Sequence, residues 1–341
     1  MGVLDALRAV ETGGTAMRFE DADGRRLMEM PPDFAGGDLE VQRGDLSRVL
    51  CEAAQAEMIF GDTVVALDET GGGAGVDVTF RSGRRRVFDL VIGADGVHST
   101  VRRLVFGPEE QFVKHLGYYV AGWDAAGETG WRGFNAPGRM ISVSRAGAFV
   151  VFGSRRPLDH DRHDRAALER IIVERFGGLG WETPRLLDAL RGSADLWFDQ
   201  ICRVDVPRWT KGRVALVGDA ASGATIGGQG CGTALVEAYV LAGEINDLPA
   251  YQRRVQKFAK GTQKGGDTTG RFLAPRRGYG IRMRNTLHNQ PWFMRMTMSI
   301  AAERSTDLVL PDYSAASAST DSSGRDGTVR SASAKASSAG G

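Results

Sequence analysis

Two segments of this 341-residue chain follow one plan: an unbroken apolar strand stops at an Ala-Asp or Gly-Asp step, and a helix follows. The first is DLVIGADGVHSTVRRLV, residues 89–105, and the second is RVALVGDAASGATIGGQGCGTALVEAYVLAGEI, residues 213–245. An apolar run without alternation reads as a strand buried on both faces. In open α/β sheets, ligands bind beyond the carboxyl ends of such strands. One such segment is compatible with an ordinary strand-to-helix turn. Two in one chain predict an α/β layer that binds a ligand at its carboxyl edge.

In the first segment Asp95 can accept hydrogen bonds from sugar hydroxyls, and Gly96 removes a side chain where a ligand must approach the backbone. Ser99 and Arg102 follow at fixed offsets, and the Arg102 guanidinium can pair with Asp95 or with a phosphate. The plain alternative is that Asp95 serves only as a helix cap. In the second segment Gly218-Asp219 ends the strand, with Asp219 placed to bind a hydroxylated chain. Gly227, Gly228, Gly230 and Gly232 let the backbone run close to a flat ligand. The N–H groups where the helix begins, near Gly230, Cys231 and Gly232, favour negative charge. A reduced flavin carries such charge around N1 and its C2 oxygen. The alternative here is a glycine-rich loop that serves turn geometry alone.

Around these segments, residues 3–10 have helical spacing, and Asp23-Gly24 lies between two alternating stretches as a hairpin turn. Asp45 is a candidate N-cap for a helix through Leu46, Val49, Leu50 and Ala53. Strands are predicted at 63–68, 76–81 and 86–93. From about 113 to 205 the texture changes. Aromatic-rich strand patterns (117–123, 139–144, 147–153), helical patterns (164–176, 183–191) and the stretch LWFDQICRV predict a separate antiparallel sheet with helices. After a buried strand at 213–218, helical patterns continue at 249–260 and 286–303. Residues 314–341, mostly Ser, Ala and Gly, predict a disordered tail.

Composition narrows the function classes. Hydrophobic residues make up 42%, enough for a large core, and a net charge of +1 creates no long-range field that draws in nucleic acid or an anionic membrane. No apolar run reaches the ~18 residues of a bilayer span, and MGVLDALRAVETGG lacks a secretion-signal pattern. Cys51, Cys202 and Cys231 are too few and too far apart for a disulfide framework or a metal-ligand pair, which points to the cytoplasm. His98, His115, His160, His163 and His288 form no metal-spaced set, and each reads as a surface or core histidine. The basic run RRGYGIRMR, residues 276–284, reads as a solvated face or as a partner site.

VIGADGVHSTVR resembles the DG motif of the class A flavoprotein monooxygenases. LVGDAA, followed by GGQG and an Ala/Leu-rich helix, resembles their GD motif. LEVQRGDLSRVL resembles the segment whose arginine, here Arg43, touches the flavin. The likeness runs to about Tyr313 and is nearest to the bacterial oxidoreductases related to the tetracycline-inactivating monooxygenases. It implies a para-hydroxybenzoate hydroxylase-type fold, α/β plus α+β. The FAD-binding domain would cover 1–112 and 206–265, interrupted by a substrate domain over 113–205 and followed by a C-terminal helical region over 266–313. It implies that Asp219 binds the ribityl chain, that Asp95 lies near the adenosine ribose and helps with NAD(P)H, and that Arg102 holds the DG turn. The backbone at Gly230, Cys231 and Gly232 would face the pyrimidine end of the isoalloxazine. The sheet bearing Tyr118, Tyr119, Trp123, Trp131, Phe134 and Phe152 would roof the substrate pocket. FAD is the implied cofactor, NAD(P)H the co-substrate, and a small aromatic or apolar molecule the substrate. The flavin carries the hard chemistry, so no catalytic side chain is nominated.

Two departures from the family shape the expectations. The family opens with a strand-GxGxxG-helix unit that holds the FAD pyrophosphate, and this chain shows none; TGGGAGVDV, residues 70–78, opens no helix. The sequence therefore predicts an FAD-domain sheet short of strands and of its phosphate turn, and FAD binding by these 341 residues that is weak or absent. Ser222-Gly223-Ala224-Thr225 also stands where the family often has His and Pro. Two other readings stay open: a flavin-dependent reductase or dehydrogenase without oxygen insertion, and a non-catalytic remnant or a chain with a misassigned start.

Overall fold

The run HLGYYVAGW is apolar on both faces, which suits a strand covered on both sides. In the computed structural model, which describes residues 2–34, 39–69, 75–125, 127, 130–226, 230–305 and 310–313, it forms most of β7 (Val113–Trp123). Residues 1–308 make one compact unit and 309–341 a second; the expected tail, 314–341, lies outside the described residues.

Strand β7 belongs to a seven-stranded sheet. Its other members are β1 (Met17–Glu20), β2 (Arg26–Met30), β8 (Trp131–Ala136), β9 (Arg139–Ser144), β10 (Gly147–Gly153) and β11 (Leu196–Val204). The order is β11-β7-β10-β9-β8-β1-β2, antiparallel throughout except between β1 and β8. The β1–β2 hairpin, expected within the first part of the FAD-binding domain, thus extends the sheet built by the strands of 113–205. On one face Tyr119, Trp123, Ile141 and Phe152 pack beneath α4 (Arg165–Phe176) and α5 (Thr183–Gly192). On the other, Tyr118, Val120, Met140 and Val151 pack against Phe19, Met28, Met30 and Leu273. Tyr118, Tyr119, Trp123, Trp131, Phe134 and Phe152 all lie on this sheet. Alternation divides them, and Tyr119, Trp123 and Phe152 are core beneath the helices, as is the side of Phe134 stacked on Trp181.

Strands β3 (Val64–Glu69), β4 (Val76–Phe80) and β5 (Arg85–Phe88) form an antiparallel meander. A third sheet has the order β12-β13-β6, with β6 (Val91–Gly93), β12 (Thr210–Lys211) and β13 (Val214–Leu216). The single strand expected over 86–93 is therefore two, split at Asp89-Leu90 and assigned to different sheets.

The remaining helices are α1 (Leu4–Arg8), α2 (Arg43–Ala53), α3 (Thr100–Val105), α6 (Asp219–Ser222), α7 (Gly230–Gly243), α8 (Leu248–Leu273), α9 (Gly278–His288) and α10 (Pro291–Ser305). Helix α2 is capped at Gln42, so Asp45 lies in its first turn and not at the N-cap. Helix α8 runs well past the expected 249–260, because Tyr251, Val255, Ala259 and Gln263 keep one face buried at a spacing of four. The expected helix over 286–303 is broken ahead of Pro291, which lacks an N–H and opens α10. Val101, Leu216, Ala221, Val240 and Tyr251 meet in one core that joins α3, α6, α7 and α8 to the third sheet.

Candidate functional site

Strands β6 and β13 pair in parallel with Gly93 opposite Leu216, so both end at the same level. Ala94-Asp95-Gly96 and Val217-Gly218-Asp219 leave the sheet as neighbours, and Val217 N donates to Gly93 O at 3.0 Å. Gly93 has no room for a side chain: a Cβ would lie 2.8 Å from Leu216 Cδ2 and from Val101 Cβ. Glycine here lets α3 close against the strand.

At the first turn the Asp95 carboxylate accepts from Ser99 Oγ and, at 3.0 Å, from Val101 N. Ser99 Oγ accepts from Arg102 N at 2.9 Å and caps α3. Asp95 therefore does the capping work of the plain alternative, yet it is exposed and a carboxylate has lone pairs left for further donors. Gly96 adopts φ +77, and a Cβ on it would meet nothing within 4 Å, so the backbone lies open. Arg102 is buried, and burial lowers its pKa. Its guanidinium donates to Ala220 O at 3.0 Å and to Val97 O at 2.5 Å, with Glu109 3.8 Å away. It makes no hydrogen bond to Asp95 and does not reach the surface; it ties the first turn to α6 of the second.

His98, expected as a plain surface or core residue, lies between two carboxylates. Nε2 is 3.2 Å from Asp199 Oδ1 on β11, and Nδ1 is 3.0 Å from Glu109 Oε1. Asp199 and then Glu109 raise its pKa to about 9. This imidazolium links the first turn to the large sheet.

At the second turn Gly218 adopts φ +62 and ψ −141, a conformation that favours glycine. Its N–H donates to Glu237 at 2.5 Å, and Ser222 Oγ donates to the other Glu237 oxygen at 2.6 Å. Glu237, on α7, is fully buried, and burial raises its carboxyl to about 7. This brace was not anticipated from sequence. The available signal was that Glu237 is the one charged residue between Thr233 and Gly243 in an apolar helix. Asp219 opens α6, half-buried; burial raises its pKa, the Arg43 charge opposes that shift, and Asp199 adds to it. Arg43 is exposed and makes no ion pair among the described residues.

Helix α7 starts beside Asp219: a Cβ on Gly230 would lie 3.9 Å from Asp219 Oδ1, and one on Gly232 would meet nothing. Gly230, Cys231 and Gly232, the first turn of this 14-residue helix, are all exposed, and no intrahelical carbonyl pairs with the N–H groups of a first turn. Gly218, Asp219, Ser222, Gly230, Thr233 and Gln263 line a cleft of about 20 Å³, room for one water-sized group. The structure thus gathers Gly218, Asp219, Gly230, Cys231 and Gly232 around one turn, with Asp95 and Gly96 at the adjoining strand end, and Arg43 acts on Asp219 through its charge. Gly228 lies outside the described residues.

No family model matches the chain. A flavin-dependent monooxygenase of Legionella longbeachae is 31% identical over 290 residues, covering 78% of this chain and 74% of that protein. This chain belongs to the flavin-dependent monooxygenases. A protein of Mycobacterium tuberculosis described as uncharacterized is 37% identical over 264 residues, covering 72% of this chain and 70% of its own length. Among solved structures, this monooxygenase matches tetracycline destructase Tet(51) with TM-score 0.76 at 29% identity, over 92% of this chain and 85% of the other. It shares a fold with Klebsiella pneumoniae HpxO, solved with FAD and uric acid, at TM-score 0.66 and 21% identity, over 86% and 82% of the two chains. The fold is the para-hydroxybenzoate hydroxylase type, and the cofactor is FAD. Among the described residues, no helix is long and apolar enough to cross a membrane, and no group of His, Cys, Asp and Glu could hold a metal ion.

Proposed function

We propose that this FAD-dependent monooxygenase uses NAD(P)H and O2 to hydroxylate a small aromatic or apolar substrate in the cytoplasm. The observation that carries the reading is the placement of Asp219, just beyond β13, beside the exposed, glycine-rich start of α7, with the Arg43 charge opposing the rise of the Asp219 pKa. That donor set suits the flavin half of FAD: a carboxylate for ribityl hydroxyls, and a helix N-terminus without side chains for a flat ring with negative charge. Bound FAD supplies the redox chemistry, passing two electrons from NAD(P)H to O2 so that one oxygen atom enters the substrate and the other leaves as water.

The residues of this chain position and bind. Gly218 and Glu237 hold the turn that presents Asp219. Gly230, Cys231 and Gly232 offer backbone N–H groups to the pyrimidine end of the ring, and Arg43 adds a cation on that side. Asp95 and Gly96 offer acceptor and open backbone to the ribose, while Arg102 fixes their turn from within. We assign the FAD-binding domain to 1–112 and 206–265, the substrate domain to 113–205 and the C-terminal helical region to 266–313, with the hairpin of 17–30 contributed to the substrate sheet. The test is to purify the protein with FAD and follow NADH and NADPH oxidation against a panel of phenolic and polycyclic aromatic compounds under labelled O2. One labelled oxygen in a product supports the reading. Reduction of a panel compound, with no labelled oxygen entering any product, assigns the chain to the flavin reductases instead.

A further inference from the structure

The C-terminal helices carry a surface that flavin chemistry does not use. Both α9 and α10 contain an aromatic-x-x-Arg-Met segment: Tyr279 to Met283 is YGIRM, and Trp292 to Met296 is WFMRM. In a helix, positions i, i+3 and i+4 share a face. Here that face points outward: Tyr279 is 58% exposed, Met283 58%, Trp292 57% and Met296 45%. Arg282 and Arg295 are exposed beside them and make no ion pair among the described residues. The inner faces are already engaged, with Arg284 and Asn285 buried on α9 and Met294 packed into the core of the large sheet. The outward residues are therefore additional to what fixes the helices in place.

Charge follows the same pattern. From Thr268 to Ala302 the chain holds six arginines and no Asp, Glu or Lys, in a protein whose net charge is only +1. Five of the six, all but Arg284, are exposed. Single exposed apolar side chains are ordinary. A repeated grouping of aromatic, arginine and methionine on two successive helices, inside a stretch free of acid, is not.

We propose that α9 and α10 dock this protein on an anionic lipid surface. Trp and Tyr settle at headgroup level, the methionines adapt to the acyl boundary, and the arginines keep their guanidinium groups among the phosphates. At 11 and 15 residues these helices lie on a bilayer and do not cross it. Charge complementarity favours this occupant over a second copy of the chain, because a two-fold contact through this face sets its arginines against one another.

The test is flotation of the protein, in the presence of excess FAD, with phosphatidylcholine vesicles made with and without phosphatidylglycerol, at low and at high salt. Each arginine near an anionic surface is worth about fivefold in affinity. The double variant R282E/R295E is therefore expected to bind at least ~25-fold more weakly, with unchanged circular dichroism and FAD binding. Trp292→Ala is expected to weaken binding while leaving its salt dependence in place. The proposal is overturned if the wild type stays with the buffer at low salt, or binds neutral vesicles equally well. It is also overturned if the double variant floats like the wild type. Concentration-dependent self-association that Trp292→Ala abolishes would assign the face to a second copy instead.

Discussion

Removing Glu237 tests the architecture of the second turn most directly. Its carboxylate is the acceptor for the buried Gly218 N–H at 2.5 Å and for the buried Ser222 hydroxyl at 2.6 Å. Glu237→Ala orphans both groups at about 1–3 kcal/mol each, so the loss is roughly 2–6 kcal/mol before any cavity contribution. Glu237→Gln keeps an acceptor for Gly218, offers an amide donor to Ser222 Oγ, and removes the charge. The two variants also separate on pH. Burial raises the folded-state carboxyl from 4.5 to about 7, so the folded protein holds a proton that the unfolded chain releases in that window. The contribution of this group to stability is greatest below pH 4.5 and falls as pH rises, by about 3 kcal/mol once above pH 7. Urea denaturation followed by circular dichroism, repeated across that window and above it, reads both effects. The wild type is expected to lose stability with rising pH, Glu237→Gln to flatten that loss, and Glu237→Ala to be weak at every pH. An Ala variant within about 0.5 kcal/mol of the wild type, or a Gln variant with the wild-type slope, would refute the reasoning.

Asp219→Ala should weaken FAD binding, read by flavin fluorescence, by about tenfold to a hundredfold for each lost charge-assisted hydrogen bond. Because burial already raises the Asp219 carboxyl, the same variant should not be less stable than the wild type; unchanged affinity would remove Asp219 from the site. Arg284 is buried without a carboxylate and its pKa is lowered to about 10; it donates to Phe272 O and Leu273 O at the end of α8 and to the side chains of Asn135 and Asn285. Arg284→Ala should cost about 3 kcal/mol in urea denaturation by orphaning those carbonyls, and Arg284→Lys should restore less than half of it, having no planar fork. For His98 the folded pKa of about 9 lies above the ordinary 6.5, so its stabilisation is complete below pH 6.5 and disappears as pH rises through 9. Thermal melts of the wild type and His98→Gln should converge across that range, and parallel curves would show that the Asp199–His98–Glu109 contact does not hold the turn.

The two Asp-bearing strand ends were legible in the sequence because their determinants are local. The apolar run of Val214–Leu216 is covered on both faces, whereas Val91–Gly93 departs from that expectation and leaves Ile92 42% exposed; only glycine sits easily at the φ +62 that Gly218 adopts, so composition marks that turn. The helical stripe of Leu46, Val49 and Leu50, and the unbroken apolar run of β7, are local in the same sense. What the tertiary structure alone decided was pairing across distance. Val91–Gly93 leaves its apparent continuation at Arg85–Phe88 because its partner is β13, more than a hundred residues on, and that register sets the two turns side by side. The hairpin of Met17–Met30 joins β8 for a like reason. Arg102 looked like a ligand for phosphate or for Asp95, and folding turned it inward to Ala220 O, which no spacing rule encodes. Glu237 is an isolated acid in an apolar helix until the Gly218 N–H and Ser222 hydroxyl arrive to meet it. A buried charge is intelligible only with its partners present, and those partners come from segments that the one-dimensional pattern does not connect.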